Sequence, residues 1–591
     1  MPPAFLPMNF LSQYSLPLAL ALLLSVFFIS LPDLRYSLLA EADKARYKLG
    51  RADAFIMAII SLVYGALAFY RLGNTQSPES FVSMENKTAY LELELSEERV
   101  SRLMLYTGIG IGGYTIEYTT DGTDNYVLAE FKQSHAEDLK WHDVALDYYV
   151  SGGTVKITGR GNVYLGEIVP LTAEGKLIGC KSETAALCDE QQFVPEKQNF
   201  LNSSYFDEIY HARTAWEHLE GIYPYEITHP PLGKIIIGLG ISLFGMTPFG
   251  WRFSGVLFGV MMLPIIYVFS KKLFGGKAVP TAVSLIMATD FMHFVQTRIA
   301  TIDTYAVFFI LLMYLFMYLF VSEGRWRDLA LSGLFFGLGA ASKWTCLYAG
   351  AGLALIWLIW VLVKAKRGEL DLKGFFKLCG FCTVFFVLVP GLIYYLSYIP
   401  YGIAQGKTNI LSADYARIVL SNQSYMFNYH SGVVAEHPYA SRWYQWMLDI
   451  RPILYYLEYL PDGRRSSFGA WVNPVLCWGG LISLFFTGYL ALARRDMRSG
   501  FILLGYLAQL VPWIPIARLT FAYHYFPCTV FLCLSMGQMF NVCRLNSRAW
   551  RMQLAGFAAL SLAVFMLFYP ALSGAPRGIT DILRWLPTWP F

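Results

Sequence analysis

Twelve stretches of this 591-residue chain are long and apolar enough to cross a lipid bilayer, and they constrain its fold more than any other feature. They lie near 14–32, 53–71, 249–270, 279–297, 303–321, 329–342, 345–363, 377–397, 470–492, 500–516, 522–540 and 552–570. Inside hydrocarbon each backbone N–H and C=O must be satisfied within its own segment, so such stretches fold as helices. The composition agrees: 55% hydrophobic, 16% aromatic and 15% charged residues is a mix that soluble domains rarely carry. The net charge of +4 is too small to imply a nucleic-acid partner. The 329–342 stretch is the weakest, being short and glycine-rich. The first stretch has the length of a signal peptide but lacks a basic leader and a small-residue cleavage site, so it reads as a retained span.

Basic residues orient the spans. Arg35, Lys44, Arg46, Lys48 and Arg51 share one loop, Lys271, Lys272 and Lys277 another, and Arg325 and Arg327 a third. Lys364, Lys366, Arg367 and Lys373 follow, then Arg494, Arg495 and Arg498, then Arg544, Arg548 and Arg551. All six loops fall on one side, the cytoplasmic one, if the N-terminus is outside. Counting Pro231–Gly245 as a span would break this agreement, so it is expected to lie along the outer interface. Asp207, Glu208, His229 and Lys234 then share one extracytoplasmic surface.

A polar insert occupies about 74–200. Leu91, Leu93 and Leu95 alternate onto one face, and Tyr114, Ile116 and Tyr118 onto another, as strands do. Asp121-Gly122 signals a hairpin, and Gly152-Gly153, Gly159 and Gly161 punctuate later strands. The expectation is a small β-sandwich with a weak likeness to discoidin-like or carbohydrate-binding jelly rolls; a structural spacer is the competing reading. Cys180 and Cys188, eight residues apart in this outer segment, are candidates for a disulfide. Cys379 and Cys382 have redox spacing, but they fall in a helix start with no second pair.

Asp207-Glu208 is the most informative polar pair. Adjacent carboxylates beside lipid are costly unless they face water or do chemistry. A second outer loop, 398–469, gathers Tyr429-His430, His437, Trp443, Trp446, Arg451 and Tyr455-Tyr456. An interfacial aromatic belt explains its rings. It does not explain the histidines and the arginine.

Taken in order, these residues resemble the protein O-mannosyltransferases, and within them the bacterial branch. The resemblance rests on Phe206-Asp207-Glu208, His229-Pro-Pro-Leu-Gly-Lys234, Pro248-Phe-Gly-Trp-Arg252 and Arg298-Ile-Ala-Thr-Ile-Asp303. It continues through Ala341-Ser-Lys343-Trp344, Tyr429-His430, Glu436-His437-Pro-Tyr439, Arg451-Pro-Ile-Leu-Tyr-Tyr456 and Arg518 to Phe526. Two departures stand out: an extra span before the family's usual first one, and the β-rich insert before the acidic pair. The MIR domain of eukaryotic members is absent.

The resemblance implies an all-α polytopic GT-C glycosyltransferase of about twelve spans with an inserted extracytoplasmic β-sandwich. Residues 1–73 would form two N-terminal spans, 74–200 the insert, and 201–591 the catalytic domain with outer loops 201–248 and 398–469. It implies a polyprenyl-phosphate sugar donor, usually mannose, and a Ser or Thr hydroxyl on an exported protein, with contact to the secretion machinery. Asp207 is then the general base, and Glu208 orients the acceptor or a neighbouring cation.

Lys343 and Arg518 are candidates for the donor phosphate, with snorkelling the alternative for Lys343. His229, Lys234, Arg252, His430, His437 and His524 are candidates for substrate binding. Arg298 and Asp303, also candidates, fit a structural ion pair better. Asp290 and His293, inside a span, demand partners that the sequence does not name. No residue set reads as a metal site, and a divalent cation stays open as a cofactor. Three other functions compete: transfer to a cell-envelope glycan or lipid, transport of a lipid-linked sugar, and binding through the insert alone. Transport would require a charged path through the spans, and an anchor would not need twelve of them.

Overall fold

A computed structural model describes residues 47–95, 97–120, 125–432, 436–543, 547–578 and 581–590. The expected span at 14–32 and the Asp121-Gly122 hairpin lie outside these residues. The chain divides into two compact units, one of 70–226 with 234–254 and the other of the remaining chain.

The helical unit follows the apolar pattern closely. Among the described residues, seven helices are long and apolar enough to span: Arg51–Phe69, Pro248–Phe274, Asp303–Glu323, Thr345–Lys366, Leu372–Ser397, Pro474–Ala493 and the C-terminal helix Ser547–Ser573. Asp303–Glu323 is the central one, 94% buried over its apolar window. Its neighbour Trp326–Ser342 has 17 residues, which makes the weak 329–342 stretch a real but short helix. Met497–Leu510 and Phe526–Val542 are also short, at 14 and 17 residues. Each is cut by local chemistry. Pro512 tightens the end of the first into a 3₁₀ turn, and a further 3₁₀ turn, Ala522–Tyr525, precedes the second.

The 279–297 stretch is not one rod. Ala278–Ala288 and Phe291–Thr297 meet at a 57° bend, where Asp290 caps the second helix by accepting the His293 amide at 3.1 Å. Leu232–Phe244 is an apolar helix of 13 residues, shorter than the roughly 20 that a spanning helix needs. The aromatic 398–469 segment is largely ordered by its own elements: helices Ile399–Ile403, Ala413–Gly432 and Trp443–Met447, then a hairpin of β8 (Ile453–Tyr459) and β9 (Arg465–Ala470).

The other unit holds the insert. Its strands are β1 (Val82–Ser83), β2 (Thr88–Leu93), β3 (Val100–Thr119), β4 (Tyr126–Gln133), β5 (Lys140–Val150), β6 (Thr154–Leu171) and β7 (Cys180–Ser182). They form one seven-stranded antiparallel sheet. The long strands β3 and β6 pair along most of their length, while β4 and β5 attach to opposite ends of β3. Register shifts on either side of Thr107 let β3 bend. Beside them Gly110 and Gly112 approach β6 so closely that a Cβ would sit 2.0 and 1.9 Å from carbonyl oxygens.

Ala89, Leu91 and Leu93 bury on one face, as do Tyr114 and Ile116. Leu95 departs from the expected alternation and is 89% exposed. The strand ends at Leu93, after which the Glu94 amide bonds Gly179 and the chain leaves the sheet. Trp141 is buried against Tyr106. The Cys180 and Cys188 sulfurs lie 3.0 Å apart as thiols.

Candidate active site

The acidic pair begins the helix Glu208–Leu219, and its two members have separate fates. Asp207 occupies the cap position half-buried, yet its side chain does not cap the helix. Phe206, just before it, has φ 47°, a left-handed conformation that costs a bulky residue about 1–2 kcal/mol. Such strain persists only where neighbours over-determine the backbone.

Arg252 is one such neighbour. It and Glu208 are each 0% exposed. Nε and Nη2 of Arg252 donate to the two Glu208 oxygens, each at 2.7 Å. The remaining N–H groups donate to the carbonyls of Leu72 (2.8 Å), Phe200 (2.6 Å) and Ser203 (3.0 Å). A guanidinium has five N–H donors, and here all are used. Glu208 also accepts the Tyr205 amide at 3.2 Å. Of the two roles expected for Glu208, this geometry matches orientation of a neighbouring cation. Its oxygens face Arg252, which leaves them poorly placed to grip an acceptor or a divalent cation.

Lys234 likewise turns inward, ion-pairing with Glu226 and donating to the Glu226 carbonyl at 2.7 Å. Arg252 and Lys234 are therefore framework cations. Among the described residues, only Glu167, Asp189 and Glu190 of the insert cluster closely enough to hold a metal ion. Glu167 there already accepts the amides of Ile168 and Glu190, and burial pushes its carboxyl up to about 8.

The helical unit gathers the other candidates. Lys343, 7% exposed, follows helix Trp326–Ser342 and pairs with Asp303 at 2.6 Å. Asp303 thus takes a lysine as its ion-pair partner, while the Arg298 guanidinium lies 5.0 Å from the Phe294 ring. Burial of Lys343 is incompatible with snorkelling. Its Nζ sits 5.6 Å from the Tyr523 ring, facing a cation-accepting surface.

His430, near the end of helix Ala413–Gly432, bonds the Thr228 carbonyl through Nε2 at 2.7 Å. Its Nδ1 is buried with no hydrogen-bond partner among the described residues. The His229 ring lies 5.0 Å away, and its Nδ1 is 3.0 Å from the Thr228 hydroxyl. Burial first, then the nearby His229, Arg518 and Lys343, push His430 down to about 4, against the pull of the Thr228 carbonyl. The imidazole is therefore neutral at pH 7 in an electropositive setting.

Arg518 is half-buried and donates to the Leu519 carbonyl at 3.3 Å. No carboxylate among the described residues lies within ion-pair distance of it. Its loop is fixed from behind: Arg442 donates to the Ala517 carbonyl at 2.7 Å, and Ser441 and Thr520 exchange two hydrogen bonds. His524 is packed between Trp446 and Trp513 and takes the Phe521 amide on Nδ1 at 3.1 Å, so it supports the same loop. His437 accepts the Tyr439 amide at 3.2 Å and packs on Phe521. His229, Lys343, His430 and Arg518 come together, and His437 and His524 brace the Phe521 region. The contributions of Thr228 and Arg442 carry no sequence signal of their own, and Tyr523 is marked only as part of the Arg518 to Phe526 stretch.

Comparison with known proteins bears on this arrangement. A family model described as dolichyl-phosphate-mannose-protein mannosyltransferase matches residues 228–394. One described as the C-terminal four TMM region of protein-O-mannosyltransferase matches 416–589. Among solved structures, the Saccharomyces cerevisiae protein O-mannosyltransferase Pmt1–Pmt2 complex bound to the sugar donor superimposes with a TM-score of 0.58 at 14% identity. The match covers 66% of this chain and 89% of that one. The fold is that of a GT-C membrane glycosyltransferase.

Relatives by sequence narrow the class. A polyprenol-phosphate-mannose–protein mannosyltransferase of Mycolicibacterium smegmatis is 26% identical over 451 residues, 65% of this chain and 87% of that protein. Its namesake from Mycobacterium tuberculosis is 23% identical over 454 residues, 65% and 86% of the two chains. The chain belongs to the protein O-mannosyltransferase family, on the bacterial side of it.

Proposed function

We propose that this protein moves mannose from a polyprenyl-phosphate donor to Ser or Thr hydroxyls of exported protein on the extracytoplasmic face, by single displacement with inversion. The observation that carries this reading is that Arg518 is a half-buried guanidinium with no carboxylate in ion-pair reach among the described residues, near His430, whose buried Nδ1 has no hydrogen-bond partner among them. Arg518 matches the need of a phosphate oxygen for a fixed cation, and His430 Nδ1, left as an acceptor because the neutral ring commits its one N–H to the Thr228 carbonyl, fits a hydroxyl of the donor sugar. Lys343 adds positive charge while held by Asp303.

In the reaction the bond between sugar C1 and the phosphate oxygen breaks, and the acceptor oxygen bonds C1 from the opposite side. The departing phosphate keeps the electron pair and is stabilised by Arg518, so no acid is needed to protonate it. The acceptor hydroxyl proton passes to a carboxylate, a service worth roughly 10²–10⁴ in rate. The family resemblance assigns that role to Asp207, the half-buried first member of the acidic pair, with Glu208 and Arg252 holding its backbone. The named substrates of the mycobacterial relatives fit the same chemistry. Arrival of the acceptor from the secretion machinery belongs to this proposal.

The test is transfer from labelled polyprenyl-phosphate mannose to a Ser/Thr-rich peptide by purified protein. Asp207→Asn keeps shape and hydrogen bonding but removes basicity. It should cut turnover by at least about a hundredfold with donor affinity nearly intact. Near-normal turnover in that variant would remove Asp207 from the mechanism.

A further inference from the structure

We propose that the inserted β-domain is a positioning element for the catalytic carboxylate, with Asp138 of the β4–β5 connection holding Arg213 on the helix that Asp207 begins. The inference rests on the reading of Asp207 as the base and assigns the insert a task within the transfer reaction.

The contact is built, not incidental. Asp138 is fully buried; one of its oxygens accepts the Gly110 amide at 3.1 Å and the Gln133 side-chain amide at 3.0 Å. The other oxygen takes the Arg213 guanidinium at 2.5 Å, and Nε of Arg213 donates to Glu217 one turn along its own helix at 2.7 Å. His135, from the same connection, also meets Arg213, and burial followed by that guanidinium pushes its imidazole down to about 4, so it accepts. Tyr225 covers the ion pair, with its ring 4.2 Å from the Arg213 guanidinium and 4.0 Å from His135. A buried acid and arginine joined in this way resist separation, because either one left alone would be an uncompensated charge.

The same connection reaches the chain just before the helix. The Ser204 hydroxyl donates to the Asp138 carbonyl at 2.8 Å, and the Ser204 amide to the Leu139 carbonyl at 3.1 Å. The Trp141 amide donates to the Ser203 hydroxyl at 3.2 Å. Asp207 therefore sits between two anchors supplied by the insert: Ser203-Ser204 on one side and Arg213 on the other. Arg213 is six residues along, about 240° around the helix from Asp207, so it grips the helix away from the carboxylate. The left-handed Phe206 lies between these anchors, where a change of grip would be released as a movement of Asp207.

The experiment uses full-length enzyme with Asp138→Asn, Arg213→Lys, Arg213→Ala and Ser204→Ala, beside Asp207→Asn. Donor-lipid affinity, kcat and thermal midpoint are measured, with kcat taken well below each midpoint. Asp138→Asn should lower kcat by about tenfold or more with donor affinity within about twofold, since small misplacements of a reacting group are costly. Arg213→Lys, which keeps the charge but loses the fork, should retain more turnover than Arg213→Ala. Unchanged kcat in both Asp138→Asn and Arg213→Lys, even with lowered midpoints, would overturn the proposal and leave the contact holding only the fold. If Asp138→Asn does not fold, Arg213→Lys and Ser204→Ala decide by the same criterion. Full activity of Asp207→Asn would instead reject the base itself. An inactive Asp207→Asn with normal kcat in the other variants rejects only the positioning role.

Discussion

Arg252 should matter more to the stability of its unit than the carboxylate it binds. In Arg252→Leu, Glu208 is left as an unpaired buried charge, at a cost of about 3–5 kcal/mol. The carbonyls of Leu72, Phe200 and Ser203 lose their donors as well. At about 1–3 kcal/mol for each buried group left unsatisfied, even partial relaxation adds several kcal/mol. Glu208→Gln is milder. The amide keeps one acceptor oxygen, the three carbonyl bonds survive and lend the guanidinium partial neutralisation, and the loss is about 1.5–3 kcal/mol. For a unit of this size a midpoint moves about 2–4 °C per kcal/mol. Glu208→Gln should therefore lower the melting midpoint of the purified protein by roughly 3–12 °C, and Arg252→Leu by at least twice as much. Intrinsic tryptophan fluorescence in detergent reads both, since Trp141 and Trp251 are buried in this unit. Equal shifts would mean that the carbonyl bonds contribute nothing. No shift in either variant would show that the buried pair does not hold the segment before Asp207.

Arg518→Gln should weaken donor binding by about 1.5–3 kcal/mol, ten- to a hundredfold in Kd, as measured by displacement of labelled polyprenyl phosphate; an unchanged Kd would remove Arg518 from the phosphate site. Because His430 falls to about 4 in the folded protein against about 6.5 unfolded, the unfolded chain takes up more protons between those values. Stability should hence fall as pH drops from about 6.5 to 4, and His430→Gln should flatten that limb of the melting curve; an unaltered limb assigns it to other groups. Cysteines placed at 130 and 432 should react with an impermeant reagent on intact cells, and one at 366 should not; labelling at 366 would reverse the orientation proposed for the site.

Much of the architecture was legible because it depends on local rules. Apolar length marked the spans, the Pro-Pro start and short apolar run of 231–245 marked a short helix, and the alternation of Leu91 and Leu93 marked a strand. Leu95 misled because alternation continues in sequence after the hydrogen bonds have stopped. Asp290 stood out inside the 279–297 stretch, but that it caps a second helix at a bend depends on packing that the sequence does not show. Site residues were identifiable as types, but their partners were not. Glu208 and Arg252 are 44 residues apart, Lys343 and Asp303 40, and Arg213 and Asp138 75. Only tertiary packing decides such pairs. Arg213–Glu217 differs in being local, a pair set by four-residue spacing on one helix.

The bend at Asp290 has a bearing on how the chain is assembled during synthesis. Its buried polar groups are completed from far downstream: the Asn473 amide donates to the Asp290 carboxylate at 2.9 Å, the Asn473 side chain donates to the Thr289 carbonyl at 2.8 Å, and the Ser561 hydroxyl meets that of Thr289 at 2.6 Å. Asn473 emerges from the ribosome 183 residues after Asp290, and Ser561 emerges 272 residues after Thr289. Until then the broken helix has no lipid-proof finish, because hydrocarbon offers no substitute donors. Nascent chains ending before 473 should keep this segment near water or within the insertion machinery, and its final seat in the bilayer is taken only when the last helices arrive.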